Sequence, residues 1–117
     1  MKKATLTLAL LIISNNTFAN HKVPKSKIEY LKTYKTYAVA TLETEGPNPD
    51  NCTATYKEYK AGRYVAIQFS DEGGKEMYSA LLASYIANRH VSFGAGGCVE
   101  WGTNTIPNAY KIDVYRD

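Results

Sequence analysis

The sequence predicts a mainly β domain with one helix, an α+β chain in which five strands close into a small barrel. Three observations predict it. Segments rich in β-branched residues and tyrosine alternate along the chain, separated by Gly/Pro clusters. One stretch alone reads as an amphipathic helix, "GGKEMYSALLASYIANRHVSF" from Gly73 to Phe93, and strand-like segments flank it. Two cysteines, Cys52 and Cys98, stand on either side of that helix.

The elements follow in order. Residues 20–35 are Lys-rich with an early Pro24. They are read as an N-terminal arm, with "SKIEYLKTY" either a short helix capped by Ser26 or a loose segment. From Thr36, "TYAVATLET" alternates, with Tyr37, Val39 and Thr41 on one face and Ala38, Ala40 and Leu42 on the other. "EGPNPDN" ends that first strand, because two prolines and a glycine interrupt a ladder. "CTATYKEY" is the second strand, "KAG" a hairpin turn, and "RYVAIQF" the third, with Val65, Ile67 and Phe69 sharing a face. In the helix, Ser70 or Asp71 is the candidate cap. Met77, Tyr78, Leu81, Leu82 and Tyr85 form the apolar stripe, and Asn88 suits a left-handed stop. "HVSF" is the fourth strand, "GAGG" a flexible turn, "VEWGTNTIPNA" a loop and "YKIDVYR" the fifth strand. A helix between strands three and four of five is the connectivity of an OB-fold barrel, where it would plug one open end. An open sheet with the helix on one face has the same element order.

The chain opens with Lys2 and Lys3, a short apolar run "ATLTLALLII", and Thr17 and Ala19 spaced as a cleavage pair. That is the pattern of a bacterial secretory signal, residues 1–19, and the apolar run is about half of the roughly 20 residues a membrane span needs. The expected location after cleavage is secreted or periplasmic. The domain then occupies residues 36–117, following the arm. Without Lys2 and Lys3, 12 basic residues face 11 acidic ones, a net of +1. So even a balance carries no footprint for nucleic acid. In an oxidising compartment one cysteine pair reads as one disulfide, Cys52–Cys98. Thiols serving catalysis or a metal are the rival reading, but no further ligand sits at metal spacing.

Catalysis finds little support. His21 and His90 have no legible nucleophile and acid around them, and Glu43 and Glu45 suit exposed strand-end positions. No cofactor or metal is expected, nor enzyme activity. The ten tyrosines are more telling, since each pairs a flat apolar body with a polar tip, which suits sugars, peptides and protein interfaces. Tyr30, Tyr34 and Tyr37 cluster before and at the first strand, and Tyr56, Tyr59 and Tyr64 around the hairpin. Cross-strand pairing within a secreted β domain also accounts for such tyrosines.

The helix-plus-strand unit "EMYSALLASYIANRHVSF", Cys98 soon after it, and the final "YKIDVY" strand resemble the B subunits of pentameric bacterial toxins. The likeness is to the subtilase cytotoxin and typhoid toxin kind, over roughly residues 36–117. That resemblance implies an OB barrel, a homo-pentameric ring and recognition of a glycan on a host surface. Thr33, Tyr34 and Lys35 stand where those subunits carry a Tyr-Tyr-Ser element that contacts sialic acid, and the serine is missing here. "CVEW", Cys98 to Trp101, resembles the Cys-Val-Trp stretch of cholera-type subunits, whose Trp stacks on a sugar, with Glu100 as an extra residue. The ligand-binding candidates are therefore Tyr34, Lys35, Tyr37, Lys57 and Trp101. The alternative is a monomeric periplasmic or secreted domain that binds or inhibits a protein. No nucleic-acid partner and no membrane span are expected.

Overall fold

The computed structural model describes residues 20–56 and 59–117; residues 1–19, read above as a signal, and Lys57 lie outside the described residues. Its strands are β1 (His21–Thr33), β2 (Tyr37–Leu42), β3 (Thr55–Tyr56), β4 (Tyr59–Lys60), β5 (Tyr64–Gln68), β6 (His90–Trp101) and β7 (Asn104–Val114). A 3₁₀ turn, Ala61–Arg63, precedes β5, and helix α1, Gly74–Ile86, lies between β5 and β6 in the chain. Five strands form one mixed sheet in the order β1-β2-β5-β7-β6, with β6 pairing back to β1. All neighbours are antiparallel except β5 and β7, which meet in parallel at Ala66 and Asn108. β3 and β4 form a separate two-stranded hairpin.

The predicted number of strands holds, but not their membership. The supposed arm is β1, the longest strand, paired with β2 on one edge and β6 on the other. Its apolar alternation is broken twice, by register shifts between Val23 and Ser26 and between Ile28 and Tyr30, so no period of two survives in the sequence. No described residue of the supposed second strand, Cys52–Tyr59, joins the large sheet; Thr55–Tyr56 pairs instead with Tyr59–Lys60. "GAGG" is no turn but part of β6. Glycine is needed there: a Cβ on Gly94 would stand 2.7 Å from the Tyr110 ring, and Gly97 has φ 75° at the register shift. "VEWGTNTIPNA" is a hairpin, turning through Gly102 (φ 67°) and Thr103, with Trp101 opposite Asn104. Pro107 sits opposite Cys98, just past the β6 irregularity.

The alternation of β2 sorts its side chains between two cores. Ala40 and Leu42 point inward with Val65, Ile67, Val91 and Phe93, and Leu81 of α1 completes this interior. Val39 points outward with Tyr64, Ala66 and Ile106, and Cys52, Ala54, Tyr59 and Ala61 pack over them. Sheet faces of this kind need a cover, because exposed apolar surface forgoes about 25 cal/mol per Å². The helix supplies it on one side and the 43–63 segment on the other. Cys52 and Cys98 are bonded, Cα atoms 5.7 Å apart, tying that segment to β6.

Helix α1 starts later than the candidate caps. Its N-cap is Gly73, at φ 75° with no side-chain cap, and Asp71 instead accepts a bond from Asn108 Nδ2 at 3.3 Å. Leu81 is buried and Met77 and Tyr78 pack on the core, while Leu82 and Tyr85, read as part of the same stripe, are exposed. The end is a Schellman turn: Asn88, at φ 56°, donates to Tyr85 O and Arg89 to Ser84 O. Asn tolerates the left-handed region better than most residues.

Candidate functional site

Two hairpin turns lie together at one end of the sheet. The β1–β2 turn carries Tyr34 and Tyr37, whose rings stack at 4.6 Å, and Tyr34 N donates to Tyr37 O across the turn at 2.7 Å. The β6–β7 turn carries Trp101, whose indole Nε1 donates to the Tyr34 hydroxyl at 3.0 Å. Trp101 also packs against Tyr64 of β5, ring centres 4.8 Å apart. Three of the candidates, Tyr34, Tyr37 and Trp101, are thus one cluster. Lys35 is exposed at the tip of the same turn, and Lys57 lies outside the described residues.

Two clefts adjoin this cluster and share Trp101 and Tyr56. One, of about 410 Å³, is walled by Tyr30, Lys32, Tyr56, Tyr59, Tyr64 and Trp101, with Val39, Thr41 and Glu29 at its base and edge. The other, of about 430 Å³, lies between the Tyr34/Tyr37 stack and Gly102–Asn104. Lys35 lines neither. The Lys32 ammonium stands 5.7 Å from the Tyr30 ring centre and 5.9 Å from that of Trp101, within cation–π range. Tyr56 is 61% exposed, so its ring is presented to solvent rather than spent on the core.

The charged groups at the edge are paired. Glu29 accepts from the Tyr59 hydroxyl on both carboxylate oxygens at 2.9 Å and from Arg63 Nη2 at 3.3 Å. Arg63 Nε donates to Leu42 O at 2.6 Å, and the guanidinium lies 3.9 Å over the Tyr59 ring. Three phenols of the region hold their protons more tightly than usual. The hydrogen bond to Glu29, then burial, raises Tyr59; burial, then neighbouring Tyr59, raises Tyr64; burial, then Tyr34, raises Tyr37. All three are therefore neutral hydroxyls at neutral pH, able both to donate and to accept.

A prediction follows for Tyr59. Its pKa is raised from the ordinary 10.0, so its contact with Glu29 is fully present below that pH and is lost as pH rises through the higher value. An NMR titration of the Tyr59 ring checks this. The midpoint should lie above 10.0 in the native chain and move back toward it in Glu29→Gln.

Glu29 and Lys32 are absent from the sequence-based candidates, and Tyr30 enters only as one of an aromatic cluster, because all three lie on the strand read as an arm. Ile28 and Leu31 both pack against the interior across the register shift, so the sequence there shows no alternation that could have found them. Tyr56, Tyr59 and Tyr64 were noticed as a cluster, but their convergence with Trp101 depends on the fold of the 43–63 segment across the outer face. Among the described residues, no three His, Cys, Asp or Glu side chains are grouped to hold a metal ion. No helix among them is long and apolar enough to cross a membrane. Comparison with protein-family models, with curated proteins and with solved structures finds no match to this chain.

Proposed function

We propose that the protein is an exported, non-enzymatic binding module, built on an OB-like barrel in the manner of toxin B subunits, whose ligand is a glycan. The observation that carries this reading is the pair of aromatic clefts meeting at Trp101 and Tyr56. Aromatic faces pack on the C–H faces of sugar rings, while neutral phenols and amides bond to their hydroxyls. Counting the five long strands alone, the clefts border the loop between the first and second and the loop between the fourth and fifth. Those are the loops OB-folds use for oligosaccharides and oligonucleotides. That correspondence is analogy of fold, and the near-neutral charge expected after signal cleavage favours the sugar over the nucleic acid. The carboxylate at the cleft, Glu29, is engaged by Tyr59 and Arg63, which suits holding a wall better than moving a proton. A disulfide is compatible with an extracellular or periplasmic location.

The test is a glycan array probed with the oxidised protein, followed by calorimetry on the best hit. Tyr56→Ala should weaken that hit about tenfold, as truncating an exposed aromatic anchor does, with the melting temperature unchanged. A hit that Tyr56→Ala and Trp101→Phe leave unaffected places the sugar elsewhere. An empty array abandons the glycan reading in favour of a protein ligand. The assembly is tested separately by light scattering after size exclusion. The toxin-like reading expects a mass near five subunits, and a monomer removes the ring and its multivalency.

A further inference from the structure

The hairpin that carries Tyr56 and Tyr59 into the cleft of about 410 Å³ belongs to no part of the five-stranded sheet. β3 and β4 pair two residues each and only with one another. So short a ribbon has little stability of its own. Its two stems are fixed elsewhere. Before it, Ala54 N donates to Thr105 O at 2.9 Å, and Cys52 is bonded to Cys98. After it, Ala61 and Gly62 are buried and Gly46 N donates to Gly62 O at 2.9 Å. Between these stems, Tyr59 crosses to β1 and gives its hydroxyl to Glu29, while Arg63, at the second stem, grips the same carboxylate and stacks on the Tyr59 ring.

We infer that Glu29 is the positioning residue of the cleft: through Tyr59 and Arg63 it holds the β3–β4 hairpin against β1, so that Tyr56 and Tyr59 form a wall of the cavity that Trp101 also lines. The geometry suits the role. One carboxylate takes a hydroxyl and a guanidinium at once, and Arg63 is itself fixed by Leu42 O of β2. Charge-assisted bonds of this kind are about twice as strong as neutral ones. Removing the carboxylate leaves Arg63 bonded to β2 but leaves Tyr59 with no acceptor on β1, so the hairpin detaches while the sheet stays whole. The value of this wall to the protein rests on the reading of the cleft as a ligand site; the positioning itself is testable without any ligand.

The chain carries one tryptophan, Trp101, and it lines the cleft, so its fluorescence reports the wall directly. The full mature chain is compared as wild type, Glu29→Ala, Glu29→Asp and Glu100→Gln, the last an exposed carboxylate on β6. Glu29→Ala should raise amide exchange at Thr55, Tyr56, Tyr59 and Lys60 at least tenfold, leave exchange in β2 and β5 unchanged, and shift Trp101 emission to the red. Glu29→Asp, which keeps the charge, should recover part of both signals, and Glu100→Gln should match wild type. Unchanged exchange at these four residues in Glu29→Ala overturns the inference. So does a rise spread evenly over the sheet, which would make Glu29 a general stabiliser. If the hairpin loosens yet the array of the preceding subsection stays empty, the positioning stands and the glycan reading alone falls.

Discussion

Cys52→Ser should be the most damaging single change outside the interior core. The bond closes a span of 46 residues in sequence, and the chain-entropy estimate for such a loop is about 4 kcal/mol. For a domain of about 100 residues, each kcal/mol is worth roughly 4–8 °C in melting temperature, so a fall of about 15 °C or more is expected. Cys52 is buried in the outer core beside Ala54 and Ile106, and Cys98 packs at its edge. Losing the link also loosens the cover over Val39 and Ala66. The measurement is denaturant unfolding of the oxidised chain against Cys52→Ser, Cys98→Ser and the double variant. All three should be destabilised alike, because each removes the same bond. A loss under about 1 kcal/mol would mean that the 43–63 segment stays docked through its apolar contacts and its bonds to Thr105 alone.

How much of this could be read in the sequence depended on whether the physics was local. The β2 alternation, the Val65/Ile67 face and the left-handed Asn88 were legible because each is decided by a few neighbouring residues. The disulfide was legible from the cysteine count, read with an N-terminal segment patterned like an export signal. β1 was not, because two irregularities break its period and because what makes it a strand is pairing with β6, some seventy residues away in register. The β6–β7 hairpin was hidden for a different reason. Its glycines and Pro107 read as loop residues, whereas here they admit the Tyr110 ring and a bulged register. The site followed the same division. Tyr34, Tyr37 and Trp101 could be singled out as aromatics at strand ends, but Glu29 gained its meaning only once β1 was in the sheet.

Phe93→Ala tests the other core, and its cost should fall in the range of about 3–5 kcal/mol seen for buried aromatics. Phe93 is 1% exposed, sits on β6 opposite Val23 of β1 and Ile112 of β7, and belongs to the same interior cluster as Leu81 of the helix. Such a loss is a large share of the 5–15 kcal/mol that a domain usually has, so unfolding should be followed at low temperature. Ile86→Ala is the control: its side chain is 75% exposed on the outer face of α1, and its effect should stay within about 0.5 kcal/mol. What separates the two cores is the native state that remains. Phe93 packs in the interior, on the opposite side of β2 from the Trp101 cluster. Its loss should therefore lower stability while leaving the Trp101 emission of the folded protein unchanged. Cys52→Ser should lower stability and shift that emission as well. If Phe93→Ala moves the emission as far as Cys52→Ser does, the two cores act as one, and the cleft is held by the whole sheet rather than by the segment laid across its outer face.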